Sequence, residues 1–268
     1  MDSLERLPSS PEPAARAAWR RTVAGLSTHA RAALRPSAAP HPDHRGDGVA
    51  KPTWRGRQHT YALLAAVPAT AVLVALAPPR RRWPVALYGG TLVATLGVSA
   101  AYHTFAATRA SQEAMSRADR ATIYALIAGT ATPVLAYTTS TRATRWALPA
   151  AWAAAAVGAG LRATGRANRT ASAGYVALGW VGAIGVRHAW AVSPTACVLL
   201  AAGGAAYTLG AVMYGTHRPA LAPATFGYHE AFHTMTLVGF ATHYGAVAIL
   251  AVRARAAATP GPAVTATA

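Results

Sequence analysis

The sequence predicts an all-α polytopic membrane protein, a bundle of seven transmembrane helices, from three observations. Hydrophobic residues make up 53% of the 268-residue chain. Beyond residue 60 they gather into blocks near the roughly 20 residues that a helix needs to cross a bilayer. Acids almost vanish from the same region: after Val49 only Glu113, Asp119 and Glu230 remain. The formal net charge of +17 reflects this shortage of acids, because only 12% of residues are charged. A nucleic-acid-binding chain reaches such a charge with clustered Lys and Arg, whereas here the arginines are spread along the loops. The single cysteine, Cys197, excludes an internal disulfide framework and a multi-cysteine metal site.

Residues 1–50 come first and differ in kind. They hold Asp2, Glu5, Glu12, Asp43 and Asp47 among Pro, Ser, Ala and Arg, without a sustained apolar period. Such a stretch buries too little surface to offset its chain entropy and is expected to be a disordered cytoplasmic tail. It lacks the uninterrupted apolar core of a secretory signal. The membrane domain is expected over 51–256, with spans at about 60–78, 84–105, 121–140, 146–162, 172–190, 194–214 and 227–252. Pro78-Pro79-Arg80-Arg81-Arg82, Thr141-Arg142, the stretch from Arg162 to Arg169, Ser193-Pro194 and the run from Arg218-Pro219 to Pro223 separate them. Alanine dominates several blocks, the fourth and fifth above all. Small side chains suit close helix packing where lipid supplies no hydrophobic drive. Residues 257–268 read as a disordered C-terminal tail.

Orientation follows from loop Arg and Lys. An N-terminus inside places more of them on the cytoplasmic side, although Arg80, Arg81 and Arg82 fall in the first outside loop. The expected location is the inner (plasma) membrane, crossed several times.

Ionisable groups at membrane depth are functional candidates because lipid offers them no partner. Of the ten histidines, His29, His41, His44 and His59 precede the spans, and His188 and His217 fall at span ends; all six read as solvated or interfacial. His103, His229, His233 and His243 lie inside spans. His229 and His233 are four apart, on one helix face about 6 Å apart along the axis. Ser99 and His103 share that spacing, and Asp119 stands at the entrance of the third span. The end of the second span and the starts of the third and seventh all border even-numbered loops. Ser99, His103, Asp119, His229 and His233 therefore share one membrane face. Three histidines leave a tetrahedral zinc ion one open position for water, and a nearby carboxylate can take that water's proton. Ser99 can hold Asp119 or a substrate carbonyl. His243, about 15 Å further along its helix, cannot reach the same ion.

A second pattern competes for these residues, since His229-Glu230-Ala231-Phe232-His233 reads H-E-x-x-H. A metallopeptidase of that type would need an acidic third ligand downstream, and Glu230 is the last acid in the chain. Glu230 points about 100° away from the histidine face, which suits a supporting carboxylate as well as a general base.

Together these residues resemble the hemolysin III branch of the PAQR membrane proteins, relatives of adiponectin and progestin receptors. The resemblance begins at Lys51-Pro52-Thr53-Trp54-Arg55-Gly56-Arg57-Gln58-His59 and continues through Gly97-Val98-Ser99-Ala100-Ala101-Tyr102-His103, Asp119 and the run from Ile123 to Pro133. It ends at the stretches Gly204 to Gly210 and Phe226 to His233, so it covers nearly everything after residue 50. It implies seven helices, an inside N-terminus and a zinc ion held by His103, His229 and His233, with Ser99 and Asp119 as the other polar site residues. One departure is Arg120, where bacterial members commonly follow the aspartate with His.

Two functions of different class fit these expectations. In the first, the protein is a zinc-dependent hydrolase of an amide or ester in a membrane lipid, with Asp119 shuttling the proton and Ser99 orienting it. In the second, it is a non-catalytic membrane-homeostasis or receptor-like protein whose zinc is structural. A pore-forming cytolysin is disfavoured, because nothing in the chain resembles an amphipathic secreted toxin.

Overall fold

The computed structural model of the chain describes residues 52–259 apart from 107, 140–141, 166–170, 182–185, 220 and 223. The expected N-terminal tail, and the C-terminal tail beyond residue 259, lie outside the described residues. Among the described residues eight α-helices follow one another: α1 (Arg57–Leu76), α2 (Trp83–Phe105), α3 (Arg109–Thr138), α4 (Arg142–Ala163), α5 (Ala171–Val181), α6 (Val186–Val192), α7 (Pro194–Thr216) and α8 (Tyr228–Ala258). The molecule is all-α, with no strand among the described residues.

Local chemistry sets the helix ends. At α3, the Thr108 hydroxyl accepts the Ser111 backbone N–H at 3.1 Å, and the Ser111 hydroxyl accepts the Thr108 N–H at 3.0 Å. This reciprocal cap starts the helix twelve residues before the expected span at 121, so Glu113 and Asp119 are helical, not loop residues. Exposed Glu113 stands 3.9 Å from Arg117, a pairing worth little in water. Proline fills the first turns of α2 and α7, where its missing N–H leaves no bond unmade. At α8 the Glu230 carboxylate accepts the Gly227 N–H at 2.9 Å.

Helices α1, α2, α3, α7 and α8 are each long and apolar enough to cross a membrane. Helix α4 has the length, at 22 residues, but Arg142, Arg145 and Arg162 make it less apolar. The expected fifth span divides into α5 and α6, of 11 and 7 residues, and 182–185 between them lie outside the described residues. Large apolar side chains face outward along these helices. Leu64 is 67% exposed and Trp146 is 76% exposed, on faces that lipid would cover.

Successive long helices pack side by side, and α8 closes the bundle against α1, α3 and α7. Leu73, Val85, Tyr88, Leu92, Leu96, Val247 and Leu250 form the buried centre. Polar side chains at depth are aimed at helix carbonyls. The Tyr244 hydroxyl donates to Ala69 O at 2.7 Å, tying α8 to α1, and the Thr95 hydroxyl donates to Thr122 O at 3.3 Å, tying α2 to α3. The Trp152 indole N–H donates to the Thr132 hydroxyl at 3.1 Å, seating α4 on α3. His243 pairs with Leu200 O at 3.1 Å across α7 and α8, which gives this deep imidazole a packing role.

The α7–α8 contact is the most extensive in the bundle, and at Gly239 the backbone lies directly against the Tyr207 ring. A methyl group there would overlap the ring, whereas one at Gly204 would meet nothing within 4 Å. Gly239→Ala is expected to destabilise the protein by about 1–3 kcal/mol, the usual effect of overpacking. Gly204→Ala should leave stability unchanged or raise it by up to about 1 kcal/mol. Thermal unfolding of both variants in one detergent checks the contrast, and equal melting points would refute the close α7–α8 approach.

Candidate metal centre

The end of α2 and the start of α8 meet at one end of the bundle. His103 occupies the last turn of α2, and His229 and His233 occupy successive turns of α8. All three imidazoles are buried, between 4% and 6% exposed. One nitrogen from each lies within 4.8 Å of the other two. The His103 ring stands edge-on to both others, with centroids 5.0 Å from each, while His229 and His233 stack at 4.6 Å. Spacing along α8 supplies two donors on one face, and the return of the chain supplies the third.

This donor set suits a metal ion. Zinc–nitrogen bonds of about 2.0–2.1 Å place tetrahedral ligand atoms about 3.4 Å apart. Donors already within 4.8 Å close to that distance through small side-chain rotations. Neutral imidazoles bring no charge that the buried site must neutralise. Three donors leave a tetrahedral ion one position for a water or a substrate oxygen.

Ser99 and Asp119 are not members of the cluster. Ser99 is buried one turn before His103 on α2. Asp119 is partly buried on α3, where its carbonyl accepts the Thr122 hydroxyl at 2.8 Å. The Thr95–Thr122 bond sets the level of these antiparallel helices. From it, Ser99 lies about 6 Å and Asp119 about 4.5 Å toward the same end of the bundle, so the two share a depth. Arg120 is exposed, and its carbonyl accepts the Tyr175 hydroxyl at 3.0 Å.

The expectation of a solvated or interfacial imidazole fails for His59. This residue is 5% exposed in the first turn of α1, with Nε2 2.8 Å from Nδ1 of His233. Its burial follows from the lead-in segment, which lies against the start of α8. Thr53 and Trp54 donate their backbone N–H groups to Ala224 O and Thr225 O, both at 3.2 Å. The Arg55 side chain forms a buried ion pair with Glu230, and the Gln58 amide donates to the Thr234 hydroxyl at 2.8 Å. Gly56 takes a left-handed conformation, φ 81°, and passes so close to His103 that a Cβ would sit 2.9 Å from that of the histidine. The lead-in motif was visible in the sequence, but nothing in its spacing pointed to a helix 174 residues away.

Glu230 is resolved by the same contacts. Its carboxylate is 1% exposed and engaged by the Arg55 guanidinium and the Gly227 N–H. That is a supporting role, and the H-E-x-x-H reading with Glu230 as general base lacks a free carboxylate. His217 caps α7 at the surface, 4.7 Å from the Tyr228 ring. His188 is partly buried on α6 and is not a member of the cluster. His29, His41 and His44 lie outside the described residues.

An all-helical bundle with outward-facing apolar surfaces and a buried three-histidine cluster at one end defines a membrane protein with a candidate metal centre. Residues 48–244, well over half of the chain, match the Haemolysin-III related family, and the protein belongs to that family.

Removing one partner of a buried ion pair leaves the other charge without compensation, at a cost of about 3–5 kcal/mol. Arg55→Met is expected to destabilise the protein on that scale. The double variant Arg55→Met/Glu230→Gln, which removes the stranded charge and keeps an acceptor for Gly227, should recover most of the loss. Thermal unfolding of the two variants measures this, and a double variant no more stable than the single one would show that the pair does not hold the segment.

Proposed function

We propose that the protein is a zinc-dependent hydrolase acting on an amide or ester of a membrane lipid, which enters laterally from the bilayer. The observation that carries this reading is the donor count: three buried histidines converge, with no fourth metal-capable side chain joining them among the described residues. A metal kept only for stability is usually closed by four protein ligands, while three suit catalysis.

When bound, zinc supplies Lewis acidity, acidifying a coordinated water and polarising a carbonyl oxygen. His103, His229 and His233 hold the ion. Asp119 accepts the proton of the attacking water at its carboxylate and returns it to the leaving group. Ser99, at the same depth, donates its hydroxyl to the Asp119 carboxylate or to the substrate carbonyl. The apolar helix faces around the site admit acyl chains and limit water to the reacting position. In this reading the chain crosses the plasma membrane seven times, with α4 as the fourth crossing, α5 and α6 sharing the fifth, and the N-terminus in the cytoplasm.

Purified protein is expected to carry about one zinc per chain, as measured by elemental analysis, and the His103→Ala variant to lose it. The zinc-loaded protein should release fatty acid from at least one member of a lipid panel. Asp119→Asn should retain the metal and lower the rate by about 100-fold or more, the usual scale for a lost acid–base group. Bound zinc without product across the panel would overturn the catalytic reading. If, in addition, metal removal lowered the melting temperature while Asp119→Asn changed nothing, the metal would be a tie between α2 and α8 in a membrane-homeostasis or receptor-like protein.

A further inference from the structure

The metal-centre reading assigns roles to three histidines and none to the fourth imidazole beside them. His59 is buried, and its Nε2 lies 2.8 Å from Nδ1 of His233, with the ring centroids 4.1 Å apart and the planes tilted by 56°. Its other nitrogen lies 3.2 Å from the same atom, so the His59 ring turns its nitrogen-bearing side toward His233. His59 is nonetheless absent from the set of mutually close donors formed by His103, His229 and His233. It touches one member of that set, His233.

We propose that His59 is a positioning residue for the metal centre, accepting the Nδ1–H of His233 so that His233 offers Nε2 to the ion. This inference rests on the metal-site reading above. A metal-ligating imidazole usually donates its second N–H to an acceptor that fixes its tautomer and ring orientation, commonly a carboxylate or a carbonyl. On α8 the nearby carboxylate, Glu230, is taken by Arg55 and by the Gly227 N–H. A neutral imidazole fills the acceptor's place and adds no charge beside the ion.

His59 is held in that role by its own segment. Arg55 to Glu230, Gln58 to Thr234 and Gly56 against His103 anchor the residues around it to the two helices that carry the ligands. The Arg55-Gly56-Arg57-Gln58-His59 stretch is thereby the third wall of the centre, and His59 is its contact with the ligand set.

The test uses the full-length protein in detergent, stripped with a chelator and titrated with Zn²⁺ or Co²⁺ against a chromophoric competitor. His59→Leu, which keeps bulk and lacks an acceptor, should weaken binding by about 10- to 100-fold and change the visible ligand-field spectrum of the cobalt form. His59→Gln, whose Oε1 can take the place of Nε2, should restore most of the affinity and the wild-type spectrum. In the zinc-loaded wild type, ¹⁵N chemical shifts should identify His233 as protonated on Nδ1, a readout that needs no variant to fold. Wild-type affinity and spectrum in His59→Leu, equal impairment in the Leu and Gln variants, or an Nε2-protonated His233 would each overturn the proposal. So would four imidazoles counted at the ion by X-ray absorption, which would make His59 a ligand. If the wild-type protein bound no metal at all, the metal-centre reading would fall first, and this one with it.

Discussion

The buried ion pair between Arg55 and Glu230 joins positions 175 residues apart, and much of the arrangement at this end of the bundle depends on it. Two charges withdrawn from water are stabilising only when their geometry and remaining hydrogen bonds are satisfied. Glu230 meets that condition with a second contact, the Gly227 N–H, which also caps the first turn of α8. The pair draws the segment before α1 onto the start of the last helix. Gly56 then lies against His103 and His59 against His233. One electrostatic contact thus registers α1, α2 and α8 where the histidines converge.

Lipid sets a different constraint on the body of the molecule. With no water to accept unmade hydrogen bonds, backbone at depth must be helical and polar side chains must find partners inside the protein. Tyr244, Thr95 and His243 each bond to a main-chain carbonyl of a neighbouring helix. Cohesion elsewhere comes from close approach. Gly129 faces Thr91, and Gly239 faces the Tyr207 ring, where a larger residue would force the helices apart. The alanine and glycine content of α4 belongs to the same economy of packing.

The centre divides labour between neighbouring residues of one motif. His229 and His233, a turn apart, face inward as donors, while Glu230 turns toward Arg55. A carboxylate committed to an ion pair is a poor general base, which is why the proposed proton shuttle is Asp119 on α3 and not Glu230. An imidazole and a guanidinium from a separate segment support the three-histidine cluster.

Much of this was legible in the sequence. Block length and the loss of acids after Val49 determined helices and a membrane setting, because bilayer thickness and charge desolvation act on composition directly. The four-residue spacing of His229 and His233 determined a shared face, and counting the spans placed His103 at the same end. Helix ends were less legible: the Thr108 cap extends α3 well into a polar stretch that hydropathy assigns to a loop. His59, Arg55 and Gly56 were the residues whose place only the tertiary structure decided. Periodicity reports which side of a helix is apolar and spacing reports what shares a turn, but neither encodes which distant segment will press against that side. That choice is made by the ion pair and close packing that form when the first helix meets the last.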